Sequence, residues 1–120
     1  MDLTVLIVDD SPGFLDAASS LLERGGLEVV GVASTTADAL TLAQQLRPDI
    51  VLVDIHLSRE SGFDLARQLD ATVPGGHRLI LMSTHAEADF AELIAASPAE
   101  GFISKDALSA QAIRRVLSGA

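Results

Sequence analysis

Residues 3–10 read LTVLIVDD, and this stretch decides how the chain folds. An unbroken apolar run closed by two aspartates is typical of a strand that is buried on both faces of a parallel sheet. Ser11 and Pro12 then open a helix, since serine caps helix N-termini and proline is favoured at the first helical position. Gly25-Gly26 ends that helix. The chain therefore begins with a strand, a turn that carries Asp9 and Asp10, and a helix.

The same alternation of a short apolar run with a longer amphipathic segment recurs along all 120 residues. Strands are predicted at Leu3–Val8, Leu27–Ala33, Asp49–Val53, Arg78–Met82 and Gly101–Ser104. Helices are predicted from Pro12 to Gly25-Gly26, at Thr35–Leu46, from Ser61 or Gly62 to Leu69, at Ala86–Ala96 and at Ser109–Leu117, with a loop at Val73-Pro74-Gly75-Gly76.

Five strands that alternate with five helices predict an α/β fold of the doubly wound type. Its crossovers would be right-handed, and its parallel sheet would be covered by helices on both faces. No composition shift marks a linker, so residues 1–120 are interpreted as one domain. Ligands of such sheets bind beyond the carboxyl ends of the strands, and functional residues are expected at that edge.

The composition excludes several classes of protein. Apolar residues make up 48% of the chain, which is enough for a core, and the absence of cysteine excludes disulfides and thiolate metal sites. No apolar run approaches the roughly 18 residues that cross a membrane, and no signal-peptide n-region is present, which favours a cytoplasmic protein without membrane contact. A net charge of −9 argues against direct nucleic acid contact by this domain. It fits a solvated acidic surface, Mg²⁺ binding or a basic partner.

Four of the predicted strands end at residues that can take part in chemistry. The first leads into Asp9 and Asp10, the third into Asp54, the fourth into Ser83 and the fifth into Lys105. Because the carboxyl ends of parallel strands share one edge, these side chains are expected to meet there. Taken singly, an aspartate here also reads as a helix N-cap, Ser83 as a turn residue and Lys105 as a surface lysine. The coincidence of all five favours a site.

Carboxylates held this close repel one another unless a cation neutralises them. Mg²⁺ suits such a site because it binds hard oxygen ligands and can also hold a phosphate oxygen, and Mn²⁺ could substitute for it. Asp54 is then placed to attack a phosphoryl group as a carboxylate nucleophile. The metal and Lys105 would neutralise the phosphoryl oxygens, and Ser83 would donate a hydrogen bond to one of them.

The sequence resembles the receiver domains of two-component response regulators over its whole length. The resemblance implies a flavodoxin-like (βα)5 fold whose parallel sheet has the strand order 2-1-3-4-5. The sequence of residues 101–106 most resembles the LuxR/NarL-type subfamily, in which the receiver is fused to a helix-turn-helix DNA-binding domain. The matching pieces are Val8-Asp9-Asp10-Ser11, residues 48–55, Ser61-Gly62, Met82-Ser83 and Gly101-Phe102-Ile103-Ser104-Lys105.

The resemblance implies a role for each residue at this edge of the sheet. Asp54 would be the phosphoacceptor. Ser83 would be the switch hydroxyl, and Lys105 would pair with the phosphoryl group. Phe102 would be the switch aromatic, and it also reads as core filler. The metal would be held by three carboxylates and one backbone carbonyl, those of Asp9, Asp10, Asp54 and His56.

The resemblance also implies the activity and the partners. A sensor histidine kinase would phosphorylate Asp54, and the domain would switch conformation to control an output, transcription through a fused or partner DNA-binding domain. The domain would catalyse only its own phosphorylation and dephosphorylation, and in that sense it is not an enzyme. A homodimer would form through the face of the fourth helix, fifth strand and fifth helix. The sequence leaves open whether residues 1–120 are the N-terminal fragment of a longer regulator or a stand-alone receiver.

Some positions near the predicted site depart from the commonest pattern of the family. Thr84 stands where a small residue usually follows the switch hydroxyl, which predicts narrower access for attacking water. Leu57-Ser58 lies where a proline is common, which predicts a looser loop. His56 and His85 read either as general bases or a transition-metal pair, or as solvent-facing loop residues, and the second interpretation is favoured.

Three alternatives were weighed against a phosphorylated switch. A receiver fold used as a phosphorylation-independent docking or dimerisation module is the main one. An aspartyl-nucleophile phosphatase of the haloacid dehalogenase type would need Asp-x-Asp after the first strand, whereas this chain has Asp9-Asp10 there. A flavodoxin-like cofactor site would need a phosphate loop rich in Ser, Thr and Gly at that place.

Overall fold

The computed structural model describes residues 2–73, 75 and 77–119. Its main sheet contains β1 (Thr4–Val8), β2 (Glu28–Ala33), β3 (Ile50–Asp54), β6 (Arg78–Ser83) and β7 (Gly101–Ser104), and a separate hairpin contains β4 (His56–Leu57) and β5 (Glu60–Ser61). The helices are α1 (Pro12–Arg24), α2 (Thr36–Leu46), α3 (Gly62–Thr72), α4 (Ala91–Ala95) and α5 (Ala110–Ser118). Two short 3₁₀ helices lie at Glu87–Phe90 and Lys105–Ala107.

The strands of the main sheet lie in the order β2-β1-β3-β6-β7, and all neighbouring pairs are parallel. Because β6 and β7 are the fourth and fifth strands of this sheet along the chain, the predicted order 2-1-3-4-5 is confirmed. The doubly wound α/β fold is confirmed with it. The order reverses between β1 and β3, so the cleft at their carboxyl ends is the expected place for a ligand.

Each central strand sends alternate side chains into two hydrophobic layers. In β1, Leu6 and Val8 face the layer that α2 and α3 cover, whereas Val5 and Ile7 face the layer that α1 and α5 cover. All four side chains are fully buried. This two-sided burial is what an unbroken apolar run predicts for an inner strand of a parallel sheet.

Capping residues begin most of the helices where the sequence predicts them. Ser11 caps α1 by accepting a hydrogen bond from the Phe14 amide at 3.3 Å, and Pro12 takes the first helical position. Thr35 and Ser109 accept corresponding bonds at the starts of α2 and α5, so each of these helices begins one residue after its predicted start. In the described part of the chain, no helix combines the length and the apolar character of a membrane span.

Three of the predicted elements differ in the structure. The continuous helix predicted at Ala86–Ala96 is wrong, because Glu87–Phe90 forms a 3₁₀ helix that precedes the short α4. Neither Ala86 nor Phe90 supplies a side-chain cap, and 3₁₀ bonding is one way to satisfy the free backbone groups of an uncapped helix end. The loop predicted after Asp54 contains the β4–β5 hairpin, and α3 continues to Thr72, three residues beyond its predicted end. Pro74 and Gly76 of the predicted loop lie outside the described residues.

Gly62 begins α3 so close to the end of β3 that there is no room for a side chain at this position. A Cβ added to Gly62 would lie 2.1 Å from the carbonyl oxygen of Asp54 and 2.8 Å from Cα of Ile55, both parts of the backbone. We therefore expect Gly62→Ala to lower the free energy of unfolding by at least about 1–3 kcal/mol, as overpacking does in other cores. Urea unfolding followed by circular dichroism measures the loss.

Gly13 in α1 provides the matched control for this substitution. A Cβ at Gly13 would meet nothing within 4 Å, and alanine is the better helix former by up to about 1 kcal/mol. We expect Gly13→Ala to keep or raise the unfolding midpoint. Equal midpoints for the Gly62→Ala and Gly13→Ala proteins would contradict the close contact.

Candidate functional site

Three buried polar side chains lie at the carboxyl edge of the main sheet. Asp9 directly follows β1, Asp54 ends β3 and Ser83 ends β6, and their exposed fractions are 0%, 4% and 0%. The parallel register brings these ends level, because Val8 pairs with Val53 and the next strand pair aligns Asp54 with Met82. The prediction that the strand ends deliver these residues to one edge is confirmed by the geometry.

The ammonium of Lys105 lies between two of the carboxylates. Lys105 directly follows β7, and its Nζ is 2.5 Å from Oδ2 of Asp9 and 3.0 Å from Oδ2 of Asp54. Only 13% of the Lys105 side chain is exposed. Lys105 is also the single lysine of the sequence, so this one ammonium neutralises part of the charge of both buried acids.

Backbone amides orient the other oxygens of these acids. Oδ1 of Asp9 accepts from the Ser11 amide at 2.8 Å, and Oδ1 of Asp54 accepts from the His56 amide at 3.1 Å. Asp10 is exposed, and its Oδ2 accepts from both the amide and the hydroxyl of Ser58, at 2.8 and 2.9 Å. Each carboxylate is therefore held in place by the loop that follows β1 or β3.

Asp9, Asp10 and Asp54 together form a candidate cation site. One carboxylate oxygen of each lies within 4.8 Å of the others. An all-oxygen donor set with several negative charges fits a hard divalent cation such as Mg²⁺ and does not favour a soft metal. Within the described residues, this is the one cluster of three or more potential metal-ligating side chains at such spacing.

Ser83 and Phe102 have their observed partners outside this cluster. The Ser83 Oγ accepts from the amide of His85 at 2.9 Å, so its present partner is its own loop. Phe102 lies on β7, pairs with Leu81 and packs half-buried against the hydrophobic layer that contains α2 and α3. The structure thus brings Asp9, Asp10, Asp54 and Lys105 together, and it leaves Ser83 and Phe102 at the border of the site.

His56 and His85 are both exposed, as the favoured interpretation predicts, but His56 begins β4 and only His85 lies in a loop. Their rings also meet each other edge-on, with centroids 5.4 Å apart. Both rings contact Phe90 in the same manner, at 5.7 and 6.1 Å. The sequence gives no sign of this ring cluster, because Phe90 reads there only as part of the apolar side of a helix.

Comparison with known proteins identifies the family to which this fold belongs. The sequence profile of the response regulator receiver domain matches residues 5–117. The chain belongs to this family. The resemblance noted in the sequence is thereby confirmed over nearly the whole receiver.

Relatives of this receiver domain include a named transcriptional regulatory protein and a named response regulator. The transcriptional regulatory protein DesR of Bacillus subtilis (strain 168) is 30% identical over 121 residues, an alignment that covers 98% of this chain and 59% of DesR. The response regulator GacA of Pseudomonas aeruginosa is 31% identical over 121 residues, which covers 98% of this chain and 56% of GacA. The chain therefore spans little more than half the length of these two relatives.

Solved structures of receiver domains superpose closely on this one. The signal receiver domain of the response regulator NarL from Mycobacterium tuberculosis has a TM-score of 0.86 at 27% identity, with 99% of this chain and 98% of that chain covered. A LuxR-family two-component response regulator from Aurantimonas sp. SI85-9A1 has a TM-score of 0.88 at 28% identity, with 99% and 87% covered.

Burial and pairing shift the ionisation of the receiver's central residues. Burial raises the pKa of Asp54, and the hydrogen bond from the His56 amide and the bond and charge of Lys105 offset only part of that rise. Burial by itself would lower the pKa of Lys105, but its hydrogen bonds to Asp9 and Asp54 and their charges outweigh burial and raise it. The ionised form of Asp54 is therefore less stable in this site than in water, and added positive charge would stabilise it.

The raised pKa of Asp54 predicts how the stability of the receiver depends on pH. Since the folded pKa lies above the unfolded one, the stabilising contribution of the protonated acid is lost as pH rises through the folded pKa. We therefore expect Asp54→Asn to raise the free energy of unfolding at pH 7 in the presence of a chelator. The difference from the wild-type protein should shrink as pH falls through the folded pKa of Asp54.

Urea unfolding of both proteins across this pH range measures the difference. Asp70→Asn, on an exposed position of α3, is the matched control and should show little change at either end of the range. A stability loss for Asp54→Asn at pH 7 would show that the Lys105 pairing outweighs burial, contrary to this prediction.

Proposed function

We propose that this receiver domain accepts a phosphoryl group on Asp54 and acts as a phosphorylation-controlled switch of a two-component system. The observation that carries the proposal is the buried Asp54 carboxylate beside the Lys105 ammonium, with the carboxylates of Asp9 and Asp10 in the same cluster. A buried acid whose ionised form is costly needs a specific purpose, and perturbed acids of this kind concentrate at functional sites.

Phosphoryl transfer to Asp54 follows simple chemistry. A carboxylate oxygen of Asp54 attacks the phosphorus of the donor and forms a P–O bond, giving an acyl phosphate. The bond from phosphorus to the donor breaks, and its electron pair leaves with the donor, an imidazole of a histidine kinase or the acetate of acetyl phosphate. Lys105, already 3.0 Å from Asp54, is placed to pair with the new negative charge.

The donor set around Asp54 fits the divalent cation that such a transfer requires. Mg²⁺, for which Mn²⁺ could substitute, would supply positive charge to the phosphoryl oxygens. The protein's ligands for it would be three carboxylates and one backbone carbonyl, those of Asp9, Asp10, Asp54 and His56. The three carboxylates and Lys105 leave two negative charges when all are ionised, which matches the charge of that ion.

Ser83 and Phe102 would connect the phosphorylated state to the rest of the domain. The Ser83 Oγ accepts a bond from the His85 amide and lies 3.5 Å from Nδ1 of the same residue, so its proton would turn from that ring toward a phosphoryl oxygen. Phe102 on β7 would be the aromatic that changes position with it. Such a change selects between two conformations of the domain, as phosphorylation switches generally do.

The partners of the switch follow from the family. A sensor histidine kinase would donate the phosphoryl group in the cytoplasm, and the output would be transcription through a DNA-binding domain. The related DesR is named a transcriptional regulatory protein, which supports a transcriptional output. A homodimer would use the face formed by α4, β7 and α5, and the receiver itself would make no nucleic acid contact. The domain would turn over only its own phosphoryl group. A docking module that needs no phosphorylation is the competing function.

Intact-mass analysis after incubation with acetyl phosphate and Mg²⁺ tests the acceptor. We expect the wild-type protein to gain the mass of one phosphoryl group and Asp54→Asn to gain none. The added mass should be removed by hydroxylamine, which cleaves acyl phosphates. Asp70→Asn serves as the control and should be modified like the wild-type protein. Modification of the Asp54→Asn protein at the wild-type rate, or no modification of the wild-type protein, would favour the docking module.

The dependence on Mg²⁺ concentration tests the proposed metal ligands. Asp10→Asn keeps an oxygen that can accept from Ser58 while it removes one negative charge from the cluster. We expect the Mg²⁺ concentration for half-maximal phosphorylation to rise on the order of tenfold or more, since a unit charge a few ångströms from a divalent ion contributes more than about 1.4 kcal/mol. An unchanged Mg²⁺ dependence would remove Asp10 from the ligand set.

A further inference from the structure

We propose that Phe14 is a positioning residue for Lys105, and that its aromatic face holds the ammonium at the Asp9–Asp54 pair through a cation–π interaction. The effect on phosphorylation rests on the function proposed above. The contact itself does not, and it can be measured in the unphosphorylated protein. The sequence places Phe14 only on the apolar face of the first helix, a role for which a leucine would serve as well.

The geometry places the ring within the range of a strong cation–π contact. Nζ of Lys105 lies 4.6 Å from the centroid of the Phe14 ring, and such contacts extend to about 6 Å. The Lys105 side chain is 13% exposed, so little water competes with the ring for the ammonium. Cation–π attraction grows as the cation loses water, which makes this partly buried lysine a favourable case.

The position of the ring is fixed by the same acid that Lys105 neutralises. Oδ1 of Asp9 accepts from the Ser11 amide, and the Ser11 hydroxyl in turn accepts from the Phe14 amide at 3.3 Å. The ring packs partly buried against the hydrophobic layer between the sheet, α1 and α5. A continuous set of contacts therefore runs from Asp9 through Ser11 and Phe14 to Lys105 and back to Asp9.

The Phe14 ring fixes the position of the Lys105 ammonium, which the two ion pairs alone do not. An ammonium has three donors on a flexible four-carbon stem, and two of its neighbours here are the negative carboxylates of Asp9 and Asp54. The face of Phe14 attracts the charge without requiring a hydrogen-bond angle, so the contact persists while the ammonium turns from Asp9 toward new charge on Asp54. The two carboxylates provide most of the electrostatic energy, and the ring selects where the ammonium sits.

A series of fluorinated phenylalanines at position 14 tests the interaction. Each added fluorine weakens the negative face of the ring and changes its size little. We expect the rate of phosphorylation by acetyl phosphate to fall stepwise with the number of fluorines, by about twofold to thirtyfold over the series. The same series at Phe63, a core ring on the other side of the sheet, is the control and should leave the rate unchanged.

The single lysine of the chain gives a second readout that needs no phosphorylation. Protein labelled with ¹³C-lysine should show one Cε resonance, whose protons are shifted upfield by the Phe14 ring. We expect Phe14→Leu to return this signal toward the position of a free lysine, whereas Phe63→Leu should not move it.

The two readouts separate the possible failures. If the wild-type protein is phosphorylated and the Phe14 series shows no trend, the positioning role is overturned and the function of Asp54 stands. If the wild-type protein takes up no phosphoryl group, the proposed function fails. The contact is then judged by the lysine resonance alone, and an absent ring shift overturns it.

Discussion

The shared ammonium of Lys105 is the interaction on which the rest of the site depends. Asp9 and Asp54 are both buried, and two buried carboxylates that are both ionised need positive charge beside them, which Lys105 provides. The parallel register supplies that charge, because β7 ends where Lys105 reaches across to β1 and β3. The ammonium only partly offsets the cost of burying Asp54, because burial still leaves the pKa of this acid raised. The fold therefore creates a local deficit of positive charge at the edge where α/β sheets bind ligands.

The fold was predictable because its strongest constraint is local in sequence. Inner strands of a parallel sheet are buried on both faces, so runs such as residues 3–8 and 49–53 stand out without any alignment. Capping residues marked the starts of α1, α2 and α5 to within one residue. The hairpin after Asp54 was not predictable in this way. Ser58 adopts a left-handed conformation with φ of 54°, and its amide and hydroxyl are bound by Asp10, 48 residues earlier in the chain.

The sequence also predicted which residues form the site, but it did not predict the contacts that these residues make. That Asp9, Asp54 and Lys105 reach one edge follows from strand ends alone. The partner of each oxygen depends on loop geometry and side-chain rotamers, and these arise only when distant segments pack. The Ser83 hydroxyl is an example, since the sequence does not show that it accepts a hydrogen bond from the His85 amide. The Phe14 ring beside Lys105 is another, because apolar periodicity marks Phe14 for the core and carries no information about the cation that follows β7.

The segments after β3 and β6, which bind the side-chain oxygens of Asp54 and Ser83, also contact each other through their histidine rings. His56 donates its amide to Asp54, and His85 donates its amide to Ser83. The rings of these two histidines contact each other and Phe90, the last residue of the 3₁₀ helix before α4. Because packed rings cannot interpenetrate, a displacement of either loop changes the space available to Phe90. The entry to α4, which lacks any side-chain cap, is therefore held in place partly by the same loops that orient the carboxylate and the hydroxyl.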